Sequence, residues 1–485
     1  MFHSPVRSQL FLLRSQKTTS MKAVASDITK TGIAPSQSRD TEGSGLKEHK
    51  KLYDRVFSLI EQHDDWMSKT INLIASENVS SPAVRSAIVC DFRDRYAEGW
   101  PGERVYAGCK YIDQVELICI DLAKTLFRAE FADVRPVSGV VANLVMYTAM
   151  MQPLDRMIAL SIADGGHISH ARANLGGTAG AVRGHKVRNW IFDEKEFNID
   201  VDASIQEVRK LQKEGDQINF MLFGGSVFPF PHPVKEFRGL ADELGIHIGY
   251  DSAHVSGLIA AGRFQDPLRE GADIMTASTH KTLPGPQHGI VLAKPEFADA
   301  IKTASFPGLL SNHHLHNVAG LAVALAEMIE FGEAYSDQII KNAKALAQAL
   351  HERGWKVVAE HKGFTQSHVI LIDVSETPMK DGRTVEEELE KANIIINRNL
   401  LPWDKRMGRD YKKPGGIRLG TSEMTRLGMK ESEMDAIATL MDRVVMKGES
   451  VKKVAADVAE LRTDYQRVEY AFENETPAYA HLRFR

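Results

Sequence analysis

The chain has 485 residues, enough for two or three domains with a substantial core, and its 43% hydrophobic and 26% charged content is that of a globular protein. With 60 basic against 64 acidic side chains the net charge is −4, which gives neither nucleic acid nor an anionic membrane a reason to bind. Three cysteines, Cys90, Cys109 and Cys119, are too few and too irregularly spaced for a disulfide framework or a zinc site, so a reducing compartment and no metal are expected.

Residues 1–26 carry Arg7, Arg14, Lys17 and Lys22 with several serines and no acid before Asp27. That is the composition of an organellar leader, and the alternative is an extension ahead of a start at Met21. A cytoplasmic location is expected, or a mitochondrial one if the leader reading holds. Residues 27–46, rich in Ser, Thr, Gly and Pro, predict a disordered lead-in, so 1–46 reads as an N-terminal extension. From 47 to 67, Leu52, Val56, Leu59 and Ile60 recur at helical spacing and predict an amphipathic helix within an arm spanning 47–90.

Between 115 and 295, apolar stretches at 155–160, 218–223, 247–250, 274–277 and 289–292 alternate with helical patterns. This predicts an α/β domain over 91–328, built on a mostly parallel sheet covered by helices. Ligands of such sheets sit at the strand C-terminal ends, where Ser226, Asp251 and Lys281 fall. A helical stretch over 316–331 leads into a smaller α/β domain, 329–446. Its predicted elements are a helix at 335–353, strands near 356–358 and 369–374, a helix at 384–392, a strand at 394–397 and helices around 430–446. The segment 447–485 begins as a charged helix, 451–468, and ends in an aromatic tail. No apolar run approaches the roughly 18 residues of a membrane span.

Lys281 lies in Thr276-Ala277-Ser278-Thr279-His280-Lys281-Thr282-Leu283-Pro284-Gly285-Pro286, thirty residues after Asp251 of Asp251-Ser252-Ala253-His254. An acid ending one apolar strand and a lysine just after the next suit a pyridoxal phosphate enzyme. The lysine takes the cofactor aldehyde, and the carboxylate keeps the ring nitrogen protonated so that the ring accepts electrons. Ser278, Thr279 and His280 add short polar donors suited to a phosphate beside that lysine.

Further segments carry a resemblance: Leu73-Ile74-Ala75-Ser76-Glu77-Asn78, Arg95-Tyr96-Ala97-Glu98-Gly99-Trp100-Pro101-Gly102, Asp164-Gly165-Gly166-His167-Ile168-Ser169-His170 and Gly416-Ile417-Arg418-Leu419-Gly420-Thr421. Together with the Asp251 and Lys281 runs, in this order and spacing over 50–446, the chain resembles the serine hydroxymethyltransferase family. The resemblance implies a type I pyridoxal phosphate fold, aspartate aminotransferase-like, with a large and a small domain. It also implies a homodimer or tetramer whose sites are shared between subunits.

It implies these roles. Lys281 bonds to pyridoxal 5'-phosphate, Asp251 pairs with the ring nitrogen, His167 stacks on the ring, and His254 and Ser226 contact its phenolic oxygen. Ser138 and Gly139 bind phosphate at a helix start, helped by Ser278 and His280. Arg418 grips the substrate carboxylate, for which a two-pronged guanidinium is suited. Glu98 handles protons as the hydroxymethyl group leaves or arrives. Tyr96 and Tyr106 come from the neighbouring subunit, with Ser76 nearby, and Gly308 lies in the loop that reaches the neighbour's phosphate. Asn399 and Ile162 belong to the folate side. Singly, His167 could be a core histidine, Arg418 an ion-pair partner and Glu98 a helix cap; their joint order points to the site.

Departures from the family pattern are Val105 before Tyr106, Val140 in the phosphate loop, and Gln287 in place of an arginine. Pro307-Gly308-Leu309-Leu310-Ser311-Asn312-His313-His314 replaces a glycine-rich loop, a feature similar to the archaeal branch. The expected activity interconverts L-serine and glycine, with tetrahydrofolate or tetrahydromethanopterin as one-carbon carrier. The alternatives are a 2-methylserine hydroxymethyltransferase or aldolase yielding D-alanine, whose single extra methyl group is worth only about 1–3 kcal/mol, and a non-catalytic cofactor-binding homologue. Glu98 has no task in a simple aminotransferase.

Overall fold

The computed structural model describes residues 42–480. The predicted extension lies outside the described residues up to 41, while 42–46 already belong to helix α1, Glu42–Ser68. Two compact units divide between His63 and Asp64. In the first, the described part is the start of α1, where Leu52, Tyr53, Val56, Leu59 and Ile60 stay exposed.

In the second unit, seven strands form the main sheet: β1 Phe131–Asp133, β2 Arg156–Ala159, β3 Lys186–Asn189, β4 Phe220–Gly224, β5 His247–Asp251, β6 Ile274–Ser278 and β7 Gly289–Ala293. Their order is β1-β7-β6-β5-β4-β2-β3, with β7 antiparallel to both neighbours and the rest parallel. The strands β4, β6 and β7 are buried throughout because both faces are covered. Side chains alternate between two cores: Phe220, Leu222, Ile274 and Val291 pack on one face, and Met221, Phe223, Met275 and Leu292 on the other. The antiparallel turn has a simple cause. Residues 279–288 are too few for a parallel crossover, which needs about a dozen or more, so the chain folds back and carries Lys281 at the bend. Two edge strands escaped sequence reading: β1 is very short, and β3 has three polar residues in four and is partly exposed.

The two helices predicted over 316–331 and 335–353 are one, α3, Leu315–Glu352. Gly332 does not end it, because it is buried and its neighbours on the helix continue to pack. By length and composition α3 would suffice to cross a membrane, which the sequence reading missed, but its apolar residues fill the interior.

A second sheet, ordered β8-β9-β11-β10, joins β8 Lys356–Val357, β9 Val369–Asp373, β10 Asn397–Asn399 and β11 Gly416–Gly420. The single strand predicted at 394–397 is split: Ile394–Ile395 pairs with Ile71–Asn72, and β10 starts anew beside β11. Every residue of β11 is buried. The C-terminal helix, Val451–Arg462, is shorter than predicted. Beyond it the tail runs irregularly, with a bridge between Arg467 and Pro477. Arg462, fully buried, anchors it by donating from Nε to the Thr70 carbonyl at 2.8 Å.

Candidate active site

Asp251 ends β5 and is buried. Its Oδ2 accepts from His170 Nε2 and from Asn143 Nδ2, both at 2.8 Å, while Oδ1 accepts only the Ala253 amide at 3.0 Å. Asn143 is itself oriented by Thr276 Oγ1, which donates to its Oδ1 at 2.6 Å. Burial alone would raise the Asp251 pKa, but the hydrogen bond and charge of His170 overcome it and hold the carboxyl well below its usual range. A carboxylate kept ionised in the interior, with one oxygen lightly engaged, is suited to a cationic ring N–H. His167, His170 and Asp251 also stand close enough to hold an ion, within 4.8 Å of one another. Two of them, His170 and Asp251, are already bonded to each other.

Gly224, at the end of β4, makes this packing feasible: its φ is +81°, and a Cβ there would lie 1.9 Å from the Asp251 carbonyl oxygen.

Lys281 sits in the β6–β7 bend, its carbonyl accepting from Asn78 Nδ2 at 2.5 Å. Burial lowers its pKa to about 8, with Asp251 opposing and Arg418 adding to the fall. Among the described residues no carboxylate is ion-paired with its Nζ. A half-buried amine that sheds its proton this readily is a usable nucleophile.

Ser138 caps helix α2, Gly139–Met150, its Oγ accepting from the Val141 amide at 3.2 Å. A Cβ at Gly139 would stand 3.2 Å from Ser278 Cβ, so the glycine lets the helix start approach β6. The amides at this helix start favour an anion. Nearby His280 has a buried Nδ1 without a protein partner, and burial pushes its pKa down to about 4. His167 is likewise pushed to about 4 by burial and is held by Ser169, whose Oγ lies 2.7 Å from Nδ1. A neutral imidazole is suited to covering a ring face. The His254 ring stacks on His368 at 5.6 Å and 19°, and its buried Nδ1 lacks a protein partner. Burial, then the charge of Lys281, holds His254 neutral. Anion cradle, amine and buried carboxylate thus match the phosphate, aldehyde and ring nitrogen of pyridoxal phosphate.

Arg418 lies in the middle of β11. Its Nε donates to Asn397 Oδ1 and its Nη1 to the Ser226 carbonyl, each at 3.1 Å. Asn397 is its register partner on β10. Among the described residues Arg418 has no carboxylate partner. Burial lowers its pKa to about 10, so it stays cationic at neutral pH. A buried guanidinium without an anion is a receptor for one. Ser76 follows Ala75, whose carbonyl accepts from His368 Nε2 at 3.0 Å, and so borders the same space.

Tyr96, Glu98 and Tyr106 form a different group. The two tyrosine rings are exposed and lie 4.7 Å apart, and Tyr96 Oη is 2.8 Å from Ser311 Oγ. Among the described residues no hydrogen bond or ion pair joins this group to Lys281 within one chain. Gly308 lies in the turn after Ala298–Thr303, lining a surface cavity with Thr148 and Thr303. Ile162 sits in the turn after β2, its carbonyl accepting from the Gly165 amide at 3.3 Å. Asn399 bonds the neighbouring Leu400 carbonyl at 2.6 Å, while Asn397 is the asparagine that holds Arg418.

Sequence reading did not single out Asn78, Asn143, His170, His368 or Asn397. Asn143 had a signal, since it lies four residues after Gly139 on one helix face. His170 stood inside a motif already quoted. His368 and Asn397 had none, because their partners come from distant segments.

Behind the site, Glu423 is buried. Its oxygens accept from Tyr479 Oη at 2.5 Å and Asn72 Nδ2 at 2.8 Å. Burial pushes its pKa up to about 7, against the hydrogen bond from Tyr479. The folded state therefore binds a proton that the unfolded chain has released above its ordinary value of 4.5. Stability from this group is present at low pH and is lost as pH rises from about 5 through 7. Thermal melts across pH 5–8 should show that decline, and Glu423→Gln should flatten it; an unchanged slope in the variant removes Glu423 as its source.

The serine hydroxymethyltransferase family model matches residues 50–441. The chain is 53% identical over 438 residues to the serine hydroxymethyltransferase of Nitrosopumilus maritimus, covering 90% of this chain and 99% of that protein. It is 54% identical over 442 residues to that of Cenarchaeum symbiosum, covering 91% and 100%, and 53% identical over 427 residues to that of Methanocaldococcus jannaschii, covering 88% and 96%. With the amine, the buried carboxylate, the anion cradle and the unpaired arginine in one place, and with similarity of this extent, the chain belongs to the serine hydroxymethyltransferase family.

Proposed function

We propose that the enzyme interconverts L-serine and glycine with pyridoxal 5'-phosphate, on a type I fold, and passes the hydroxymethyl carbon to tetrahydrofolate or a related tetrahydropterin. The observation that carries this reading is Arg418, buried without an anion in the same charge environment as Lys281 and His254. That separation of cation and amine is what an α-amino acid requires: a carboxylate end and an amino end. When bound, the cofactor supplies the sink for electrons left on the α carbon. Arg418 and Ser76 hold and orient the carboxylate. Ser138 and Gly139 hold the phosphate, and Asp251, braced by His170 and Asn143, keeps the ring nitrogen protonated. His254 and His368, both held neutral by burial, stack on each other without adding charge near the reacting amine.

Among the described residues no hydrogen bond or ion pair links Tyr96, Glu98 or Tyr106 to this group in one chain, and a second copy contributing them would complete the site, the basis for a homodimer. In that assembly Glu98 moves the proton on the hydroxyl as the carbon–carbon bond breaks. Glu98→Gln should retain cofactor and glycine binding while lowering serine turnover about 100-fold or more; normal turnover by the variant would remove that role.

The test of substrate and carrier is the visible spectrum of the holoenzyme with glycine or D-alanine, each with and without tetrahydrofolate. A long-wavelength band with glycine, strengthened by folate, is expected. A band with D-alanine alone would move the assignment to a 2-methylserine enzyme.

A further inference from the structure

We propose that Ser311, Asn312 and His313, in the segment just before helix α3, form a clamp that positions Glu98 for proton transfer. The inference rests on the reading of Glu98 given above. Glu98 is half-buried, and among the described residues its carboxyl accepts no hydrogen bond from the protein. What the protein fixes is therefore the backbone from which the side chain starts, and that backbone is held on both sides of Glu98.

Asn312 takes two of them. Its Oδ1 accepts from the Ala97 amide at 3.0 Å, and its Nδ2 donates to the Arg95 carbonyl at 3.2 Å. Ser311 Oγ bonds Tyr96 Oη at 2.8 Å. On the other side Arg104 donates from Nη1 to the Ala97 carbonyl at 2.8 Å and also reaches the Gly99 carbonyl, to which Arg135 Nη1 adds a bond at 3.0 Å. The carbonyls before and after Glu98 are thus both pinned. Gly99, at φ +98°, permits the tight hairpin between Gly99–Trp100 and Glu103–Arg104 that brings these groups together.

His313 secures the arginine. Arg104 Nη2 pairs with Glu116 Oε2 at 2.6 Å, and His313 Nε2 lies 3.1 Å from the same oxygen. Glu116 and His313 are both buried, and the second carboxylate oxygen of Glu116 has no partner. A buried carboxylate depends on every donor it has. Arg104 Nε also pairs with Asp113 Oδ1 at 2.8 Å, so removing His313 loosens Glu116 and leaves Arg104 with Asp113 as its other carboxylate anchor. Displacing a reacting group by about 1 Å costs on the order of 100-fold in rate.

The experiment uses full-length holoenzyme and compares Asn312→Ala, on the half-exposed part of the loop, with His313→Leu and His313→Gln. Asn312→Ala and His313→Leu should each lower kcat for serine with tetrahydrofolate by about 10- to 100-fold, with KM for serine within about threefold of the parent. Cofactor absorbance and sedimentation should be those of the parent protein, and His313→Gln, which keeps a donor to Glu116, should recover most of the rate. Asn312→Ala tests the clamp even if His313→Leu fails to fold. Parent-like kcat in Asn312→Ala while Glu98→Gln is impaired overturns the clamp, and so does parent-like kcat in a folded His313→Leu. Loss of kcat only in proportion to loss of bound cofactor overturns it as well. Unimpaired turnover by Glu98→Gln instead overturns the reading beneath it.

Discussion

Lys281→Ala is expected to lower serine turnover by at least about 1,000-fold, a loss of roughly 4 kcal/mol of transition-state stabilisation. The amine lies in the charge field of Asp251 and Arg418, and its pKa of about 8 leaves a useful neutral fraction in ordinary buffers. The phosphate cradle of Ser138 and Gly139 and the carboxylate of Asp251 remain in the variant, so cofactor should still bind, though without a covalent bond. Steady-state turnover and cofactor retention on gel filtration measure the two effects separately. Normal turnover by the variant would sink the assignment. The pH dependence has a defined sign: covalent capture of added cofactor by the apoenzyme needs the neutral amine, so its rate should rise as pH increases from 7 through 9. A flat profile would show that the Lys281 proton is not limiting.

Arg418→Leu is expected to raise KM for serine by roughly 100- to 1,000-fold, about 3–4 kcal/mol, because it removes a desolvated partner for the substrate carboxylate. Arg418→Lys should recover little, since an ammonium cannot offer two parallel donors. The same change has an opposite effect on folding. Arg418 is a buried charge that only the Asn397 side chain and the Ser226 carbonyl are seen to satisfy, and leucine suits the surrounding apolar strand. The melting temperature of Arg418→Leu should match or exceed that of the parent, the pattern of a residue kept for binding at the expense of stability. A large drop in melting temperature with little change in KM would make Arg418 a structural residue.

The strands bearing Asp251 and Lys281 could be read from sequence because continuous apolar runs record a sheet covered on both faces. The bend at Lys281 follows from a connection too short to cross over. Other features depended on contacts that no local pattern records. His368 is placed by the Ala75 carbonyl and the His254 ring, and Asn397 by its register opposite Arg418. The strand predicted at 394–397 was apolar and continuous, yet its halves pair with different partners. The helices predicted at 316–331 and 335–353 are continuous through Gly332, where burial outweighs the roughly 1 kcal/mol propensity cost of one glycine. The loop at 311–313 was legible only as a departure from a familiar pattern; its hydrogen bonds to the segment around Glu98 emerge only in three dimensions.

Helix α3 is, at 38 residues, roughly 57 Å long at 1.5 Å per residue. Its first half supplies Val318, Leu321, Leu325 and Met328 to the core beneath the large sheet, and its second half supplies Ala343, Leu346 and Leu350 to the core of the small one. One helix is thus mortared into both hydrophobic cores. The sheet bearing Arg418 and the sheet whose bend bears Lys281 are splinted by one continuous helix, and any swing of one against the other would have to flex it.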